Sequence, residues 1–329
     1  MSAVNLREYV TKRIKKDARI IEFGPLHRPI AKKDQFKNVV YADIRSTQEI
    51  VSLYKGNDYL SSTGLNIDTS LIVDIDYIIK KNYKTTFKGV KKFDYAILSH
   101  VIEHMPNILY FFEDIESILS DNGRLVLIYP DSRYCFDHYR TEASFRDAYV
   151  TYQEGTHNNA KMALDFSLNV MKENRPIFFW NDQRISQKIN KGDGAKAAKA
   201  YRLVKDGGSL DDVHYWPFSD FGLLRFLREA QNMGYINFEV EHFIPTEPNT
   251  QEFLIILKRT PKNTRPRPLS LALLDKTDPV IKISRLEKEL TTCQQELATI
   301  HRSKTWRCTK PLRATYSLLS KIKHKIIKQ

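Results

Sequence analysis

The chain has 329 residues, 42% of them apolar and 28% charged, the balance of a globular protein with room for one large domain and an appendage. No run of about 18 apolar residues occurs, so a membrane-spanning helix is not expected, and residues 1–17 are polar and basic with no apolar stretch of the secretory kind. The net charge of +13 is uneven: 16 of the 52 basic and 5 of the 39 acidic residues fall in 261–329, a net of +11, which leaves the rest at only +2 and argues against a body built to bind a polyanion.

After a helix candidate over residues 5–16, short β-rich apolar runs alternate with helical segments. The strand candidates are 19–23, 38–42, 71–74, 93–98 and 124–129. Their nearly continuous apolar character suits strands buried on both faces, and the alternation predicts an α/β, doubly wound sheet. Residues 107–120 carry apolar side chains at helical spacing, and Asp121-Asn122-Gly123 reads as a turn into the next strand. Residues 218–233 form another amphipathic helix candidate. Two apolar runs follow, 238–244 and 252–257, with too short a link for a crossover helix, so they are expected to pair as a hairpin with one strand antiparallel to the sheet. Residues 131–217, rich in Tyr, Phe, His and Arg, read as an insertion or lid over the carboxyl edge of the sheet.

These features give a domain over 1–260, a linker over 261–280 marked by Pro261, Pro266 and Pro268, and a tail over 281–329. In the tail, Ile283, Leu286, Leu290, Cys293, Leu297 and Ile300 form a short heptad seam suited to a coiled coil and self-association. Residues 315–329 mix Leu and Ile with Lys as a basic amphipathic helix that can lie on an anionic membrane surface. Cys135, Cys293 and Cys308 are far apart and odd in number, which fits a reducing cytoplasm.

Three stretches speak to function. The strand 19–23 runs into Gly24-Pro25-Leu26. The second strand ends in Asp43, 19 residues beyond Gly24. Residues 93–106 form an apolar strand that ends in Ser99, His100, Glu103 and His104 before Pro106. Polar groups at the carboxyl end of parallel strands sit where open α/β sheets bind ligands, and an acid at the tip of the second strand can accept from both ribose hydroxyls.

On these residues the chain resembles the class I S-adenosylmethionine-dependent methyltransferases, over roughly residues 17–260. Glu22 to Leu26 looks like the family's first motif, Tyr41-Ala42-Asp43 like its second, Val73 to Asp76 like its third, and Phe93-Asp94 through His104 like its fourth. The resemblance implies a Rossmann-like seven-stranded sheet with a terminal antiparallel hairpin, and S-adenosyl-L-methionine as cofactor. More narrowly, Gly-Pro-Leu-His-Arg-Pro, Ser-His-Val-Ile-Glu-His-Met-Pro and Pro-Asp-Ser-Arg-Tyr-Cys-Phe-Asp resemble a bacterial subgroup of surface-polysaccharide biosynthesis. The chain departs from the family's first motif, which carries two or three glycines where this one has Gly24 alone.

The resemblance implies a cofactor edge made of Glu22, Gly24, Pro25, Asp43, Asp74, Ile75, Ser99 and His100. Gly24 would give a tight turn, or be an ordinary strand-to-helix turn; Glu22 would orient the turn or the cofactor's amino group; Asp74 and Ile75 would border adenine. O-methylation of a sugar hydroxyl also needs a proton acceptor, for which His is suited near neutral pH. The catalytic candidates are His214, the preferred base, His100, His104, with a structural role favoured for the last, and Asp131, which as the bland alternative caps a turn. Arg133, Tyr134 and Tyr215 are expected to meet the acceptor, a glycan or glycolipid. A metal is not expected, because no spacing such as His-Glu-x-x-His occurs. Two other functions compete: a nucleic-acid methyltransferase with the tail as a backbone-binding arm, disfavoured by the near-neutral body, and a non-enzymatic scaffold on the same fold.

Overall fold

The computed structural model describes residues 4–55, 67–155, 158–171, 180, 194–210, 212–261, 264, 266, 290–292, 294–295 and 299. The chain divides into two units, Met1–Leu269 and Ser270–Gln329. In the second, the described residues are helical and Leu290 is exposed. The rest of the heptad seam, and the whole basic segment 315–329, lie outside the described residues.

In the first unit Asn5 caps helix α1 (Leu6–Thr11), accepting from the Glu8 N–H at 3.1 Å. The apolar runs become strands β1 (Arg19–Phe23), β2 (Asn38–Asp43), β3 (Tyr77–Ile78), β4 (Phe93–Ser99) and β5 (Leu119–Pro130), followed by β6 (Phe238–Ile244) and β7 (Glu252–Arg259). They form one seven-stranded sheet in the order β3-β2-β1-β4-β5-β7-β6. β1 to β5 pair in parallel, and β7 runs antiparallel to both β5 and β6. This is the doubly wound, Rossmann-like mixed sheet expected from the sequence, with the terminal hairpin supplying the antiparallel strand.

The central strands are continuous apolar runs because helices cover both faces. On one face Ile20, Ile97, Val126, Ile128, Leu254 and Ile256 share a buried core. Helix α4 (Ile108–Glu116), the fourth of the described α-helices after α2 (Thr47–Tyr54) and α3 (Tyr83–Thr86), buries Ile108, Leu109, Phe111, Phe112 and Ile115. Each such side chain contributes roughly 1.5–3 kcal/mol relative to exposure. The insertion contains α5 (Phe145–Gln153), α6 (Ala160–Asn169) and α7 (Gly194–Lys205), and α8 (Asp220–Asn232) leads to the hairpin. Among the described residues no helix is long and apolar enough to cross a membrane.

Two expectations are corrected. Residues 71–74 are not a strand: Asp68 caps a 3-10 turn over Thr69–Leu71, and the Val73 N–H donates to the Leu26 carbonyl at 3.0 Å, in the loop after β1. The edge strand starts only at Tyr77, because the Asp76 carboxylate itself accepts the Tyr41 N–H at 2.7 Å. Nor does the Asp121-Asn122-Gly123 turn separate a helix from a strand. It bulges out within the span of β5, whose pairing with β4 skips from Phe93↔Leu119 to Tyr95↔Arg124, and the chain folds back so closely that a Cβ on Gly123 would stand 3.0 Å from the Leu119 Cβ and the Ser120 carbonyl oxygen. Helix α4 therefore ends at Glu116, and Leu119, on the expected helical face, instead pairs with Phe93.

Candidate functional site

The strand order places β1 between β2 and β4, so crossovers leave in opposite directions from the β1–β4 pair, and a crevice opens at their carboxyl ends. Gly24 and Leu26 follow β1 directly, with φ of +60° and +47°. Gly24 meets this without a side-chain clash, whereas Leu26 bears left-handed backbone strain where the resembled motif would have glycine. A Cβ on Gly24 would lie 3.1 Å from Val101 Cγ2 and 3.9 Å from Asp43 Oδ2, so the turn, the tip of β2 and the segment after β4 converge there.

Glu22 is 2% exposed and accepts from the Ile30 N–H at 2.8 Å and the Ala31 N–H at 2.8 Å. Its described bonds therefore serve the loop after the turn. Burial raises its pKa to about 7 against the opposing pull of those two N–H groups. Pro25 is buried within that loop. Asp43 ends β2 with Oδ1 accepting from the Arg45 N–H at 3.0 Å, and burial raises its pKa. A part-desolvated carboxylate beside a glycine turn fits the vicinal hydroxyls of a ribose. The Ile75 N–H donates to Thr47 Oγ1 at 3.0 Å, and Asp74 is exposed, while Asp76 is bound to Tyr41 and Lys33. Ser99 ends β4 with Oγ 3.4 Å from an Arg7 Nη2 donor. A cavity of about 310 Å³ opens alongside, lined by Arg7 and Glu252 among others.

The three candidate histidines come together around one carboxylate. His100, with φ +54°, turns the chain out of β4, and a 3-10 turn over Ile102–His104 follows. Glu103 in that turn is fully buried, and neither of its carboxylate oxygens has a hydrogen-bond partner among the described residues. Its Oε1 lies 3.7 Å from His100 Nδ1, 3.9 Å from His104 Nε2 and 4.0 Å from His214 Nε2. Burial raises the Glu103 pKa.

Each imidazole is held by its other nitrogen. His214 Nδ1 is 2.5 Å from Asp137 Oδ2, His104 Nδ1 is 3.1 Å from the Val213 carbonyl, and His100 Nε2 is 3.3 Å from Glu252 Oε1. Desolvation of its part-buried ring, helped by His214, pushes the His104 pKa down to about 3 although a third of the side chain stays exposed, so its imidazole is neutral. For His100, burial opposes protonation, but the Glu252 bond and the charges of Glu252 and Glu103 outweigh it and raise the pKa. Asp137 is itself fixed by Arg140, whose Nη1 donates at 2.9 Å; against burial, the His214 and Arg140 partners pull its pKa down to about 2.

The segment carrying His214 is bound to the turn through the backbone. The Tyr215 N–H donates to the Glu103 carbonyl at 2.7 Å, Trp216 Nε1 donates to the Met105 carbonyl at 2.6 Å, and the Tyr129 hydroxyl donates to the Trp216 carbonyl.

Other candidates have different work. Asp131 is fully buried; its carboxylate accepts from the Arg133 N–H, Nε and Nη2 and from Thr246 Oγ1 at 2.6 Å. That clasp joins the end of β5 to the loop before β7, and it corrects the catalytic expectation: Asp131 caps its turn, with both carboxylate oxygens already bonded within the protein. Arg133 also bridges to Asp220 at 2.5 Å. Tyr134 stacks on Trp180 with centroids 3.9 Å apart, at the carboxyl edge where Trp180 Nε1 reaches the Thr250 carbonyl. Tyr215 is only 5% exposed and packs within the protein, which corrects its expected role in meeting the acceptor. Sequence reading also missed Asp137 and Glu252 and singled out Glu103 without giving it a role, and its ground for setting a metal aside fails, because Glu103, His104 and His214 offer ligand atoms within 4.8 Å of one another although His214 is remote in the chain.

Comparison with known proteins supplies the family. Among solved structures, a SAM-dependent methyltransferase from Methanosarcina mazei is 14% identical with a TM-score of 0.36, matched over 80% of this chain and 100% of its own. The CurJ carbon methyltransferase is 12% identical (TM-score 0.35; 77% of this chain, 52% of CurJ). The mitomycin 7-O-methyltransferase MmcR is 11% identical (TM-score 0.34; 77% and 53%). The chain thus spans about half the length of CurJ and MmcR. No curated protein matches the chain. The methyltransferase domain family model matches residues 3–171, just over half of the chain and all of the sheet from β1 to β5, together with Gly24, Asp43 and the Ser99–His104 turn. The chain belongs to the methyltransferase domain family, and is an S-adenosylmethionine-dependent methyltransferase.

Proposed function

We propose that this enzyme O-methylates a sugar hydroxyl of a cell-surface polysaccharide or glycolipid precursor. The observation that carries the reading is the oriented cluster of His100, Glu103, His104 and His214 beside the cofactor edge, since a hydroxyl must lose its proton to become a methyl acceptor. S-adenosylmethionine supplies an electrophilic sulfonium methyl group: the acceptor oxygen's lone pair forms the C–O bond as the C–S bond breaks, leaving a neutral thioether. Asp43 and the Gly24 turn hold the cofactor, and the cluster activates the hydroxyl. The Tyr134–Trp180 stack with Arg133 offers the flat aromatic and cationic surface on which a sugar ring is held.

The acceptor class carries a location with it. The basic segment 303–329 would rest on the inner face of the membrane, where lipid-linked glycans are assembled, and residues 283–300 would pair copies of the enzyme. Methyl-labelled cofactor incubated with lipid-linked glycan from the native host, in parallel with tRNA and DNA, tests the proposal. Label in the glycan, lost on Asp43→Ala, is expected; label confined to nucleic acid overturns the acceptor class, and wild-type protein that does not bind the cofactor overturns enzymatic function altogether.

A further inference from the structure

Glu103 presents an unusual balance. A buried carboxylate without a donor costs several kcal/mol unless a positive charge compensates it. Three ring nitrogens face it, at 3.7–4.0 Å, too far for hydrogen bonds. For His104 the far nitrogen faces a carbonyl, which can only accept, so Nδ1 carries the proton and Nε2 turns its lone pair inward. Asp137 orders His214 in the same sense: Asp137 is bound by Arg140 through Oδ1 and accepts from His214 Nδ1 through Oδ2. An outer carboxylate or carbonyl that fixes the tautomer of an inward-facing imidazole is the usual outer shell of a metal-bound histidine.

The spacing is close to that of a site. An ion with bonds of about 2.1 Å to nitrogen and oxygen holds neighbouring ligand atoms roughly 3–4 Å apart; Glu103 Oε1 stands 3.9 and 4.0 Å from the two Nε2 atoms, and the three ligand atoms lie within 4.8 Å of one another, so the imidazoles close in slightly on binding. We infer that Glu103, His104 and His214 bind a divalent first-row transition-metal ion, with His100 Nδ1 next to it. Two imidazoles and one carboxylate favour zinc, cobalt, manganese or ferrous iron over the hard ions magnesium and calcium, which prefer all-oxygen sites. The side chains of His100 and His104 are each 33% exposed, so the site has an open edge at which an acceptor hydroxyl can reach the ion.

This deepens the proposed O-methylation and rests on it for its chemistry. An ion held by Glu103, His104 and His214 would act as a Lewis acid on an acceptor hydroxyl at the open edge, easing loss of its proton to water there. The imidazoles then act as ligands rather than as bases.

The test uses full-length protein stripped with a chelator and titrated with Co²⁺, whose visible absorption reports nitrogen and oxygen coordination without turnover. One equivalent is expected to bind, to be displaced by Zn²⁺, and to be unaffected by equimolar Mg²⁺. Glu103→Gln and His104→Ala should each weaken Co²⁺ binding 100-fold or more while cofactor binding, measured by calorimetry, is kept as proof of folding. No visible band with wild-type protein, or a band equally strong in both folded variants, overturns the metal site. Cofactor binding is scored on the same metal-free sample. Its failure would refute the methyltransferase reading, whereas intact cofactor binding with no Co²⁺ site refutes the metal alone.

Discussion

Replacing Arg140 by methionine tests the packing that holds His214 in place. The Arg140 side chain is fully buried, donating from Nη1 to Asp137 at 2.9 Å and to the His214 carbonyl at 2.5 Å, and from Nε to Asp165 at 2.7 Å. Methionine fills most of the volume but leaves the 2%-exposed Asp137 with His214 as its remaining ionic partner. Removing one member of a buried pair costs about 3–5 kcal/mol. Arg140 Nη2 has no acceptor among the described residues, so the native arrangement already tolerates one unmet donor, which moves the expectation towards about 3 kcal/mol. In a domain of this size that lowers Tm by roughly 6–12 °C. Urea unfolding of Arg140→Met, Asp137→Asn and the double variant closes a cycle in which the second substitution should restore much of the loss. A loss below about 1 kcal/mol in the single variant, or strict additivity in the double, would refute the assignment of a buried, coupled ion pair.

Asp43→Ala removes the charged acceptor for two ribose hydroxyls, at about 1.5–3 kcal/mol each, so calorimetry should show cofactor Kd raised 100-fold or more with the Tm of the free protein little changed. Gly24→Ala forces a side chain into φ +60° and against Val101; a stability loss of about 1–2 kcal/mol is expected in urea unfolding, accompanied by weaker cofactor binding. Glu22 has a folded pKa of about 7 against 4.5 for a solvated glutamate, a raised value, so its favourable contribution is complete below pH 4.5 and is lost as pH rises through 7. The wild type should therefore lose up to about 3 kcal/mol across that window relative to Glu22→Gln, and parallel stability–pH curves for the two proteins would contradict the burial argument.

Much of this was legible along the chain because it is local. The apolar runs at 19–23 and 93–98 are two-face-buried strands, and Asp43 follows Gly24 at the spacing of a strand–turn–strand unit, so the convergence of the Gly24 turn with the tip of β2 could be read by counting. β3 could not. It is two residues long, and an Asp76 side chain takes over a backbone acceptor's role, leaving no alternation to detect. Gly123 marked a true fold-back of the chain, but one that bulges out within β5 instead of preceding it. The cluster around Glu103 was hidden for another reason. His104 and the Val213 carbonyl that fixes its tautomer are 109 positions apart, and contacts of that range are determined by the sheet and not by spacing. Asp131 looked available because sequence shows a carboxylate's presence and never the number of donors already around it.

The ends of the 131–217 insertion are bonded to one another: the Ser132 N–H donates to the Phe218 carbonyl, and the Ala143 N–H to the Pro217 carbonyl, each at 2.9 Å. Entry and exit thus form a closed neck, and residues added beyond it raise a closure entropy that grows only logarithmically, by about 0.6 kcal/mol for each doubling of length. Such a neck tolerates added length only where the insertion leaves Asp137, Arg140 and His214 in place, because those residues tie it to the Glu103 turn. Variation in acceptor choice is consequently confined to the stretches of the insertion away from that tie.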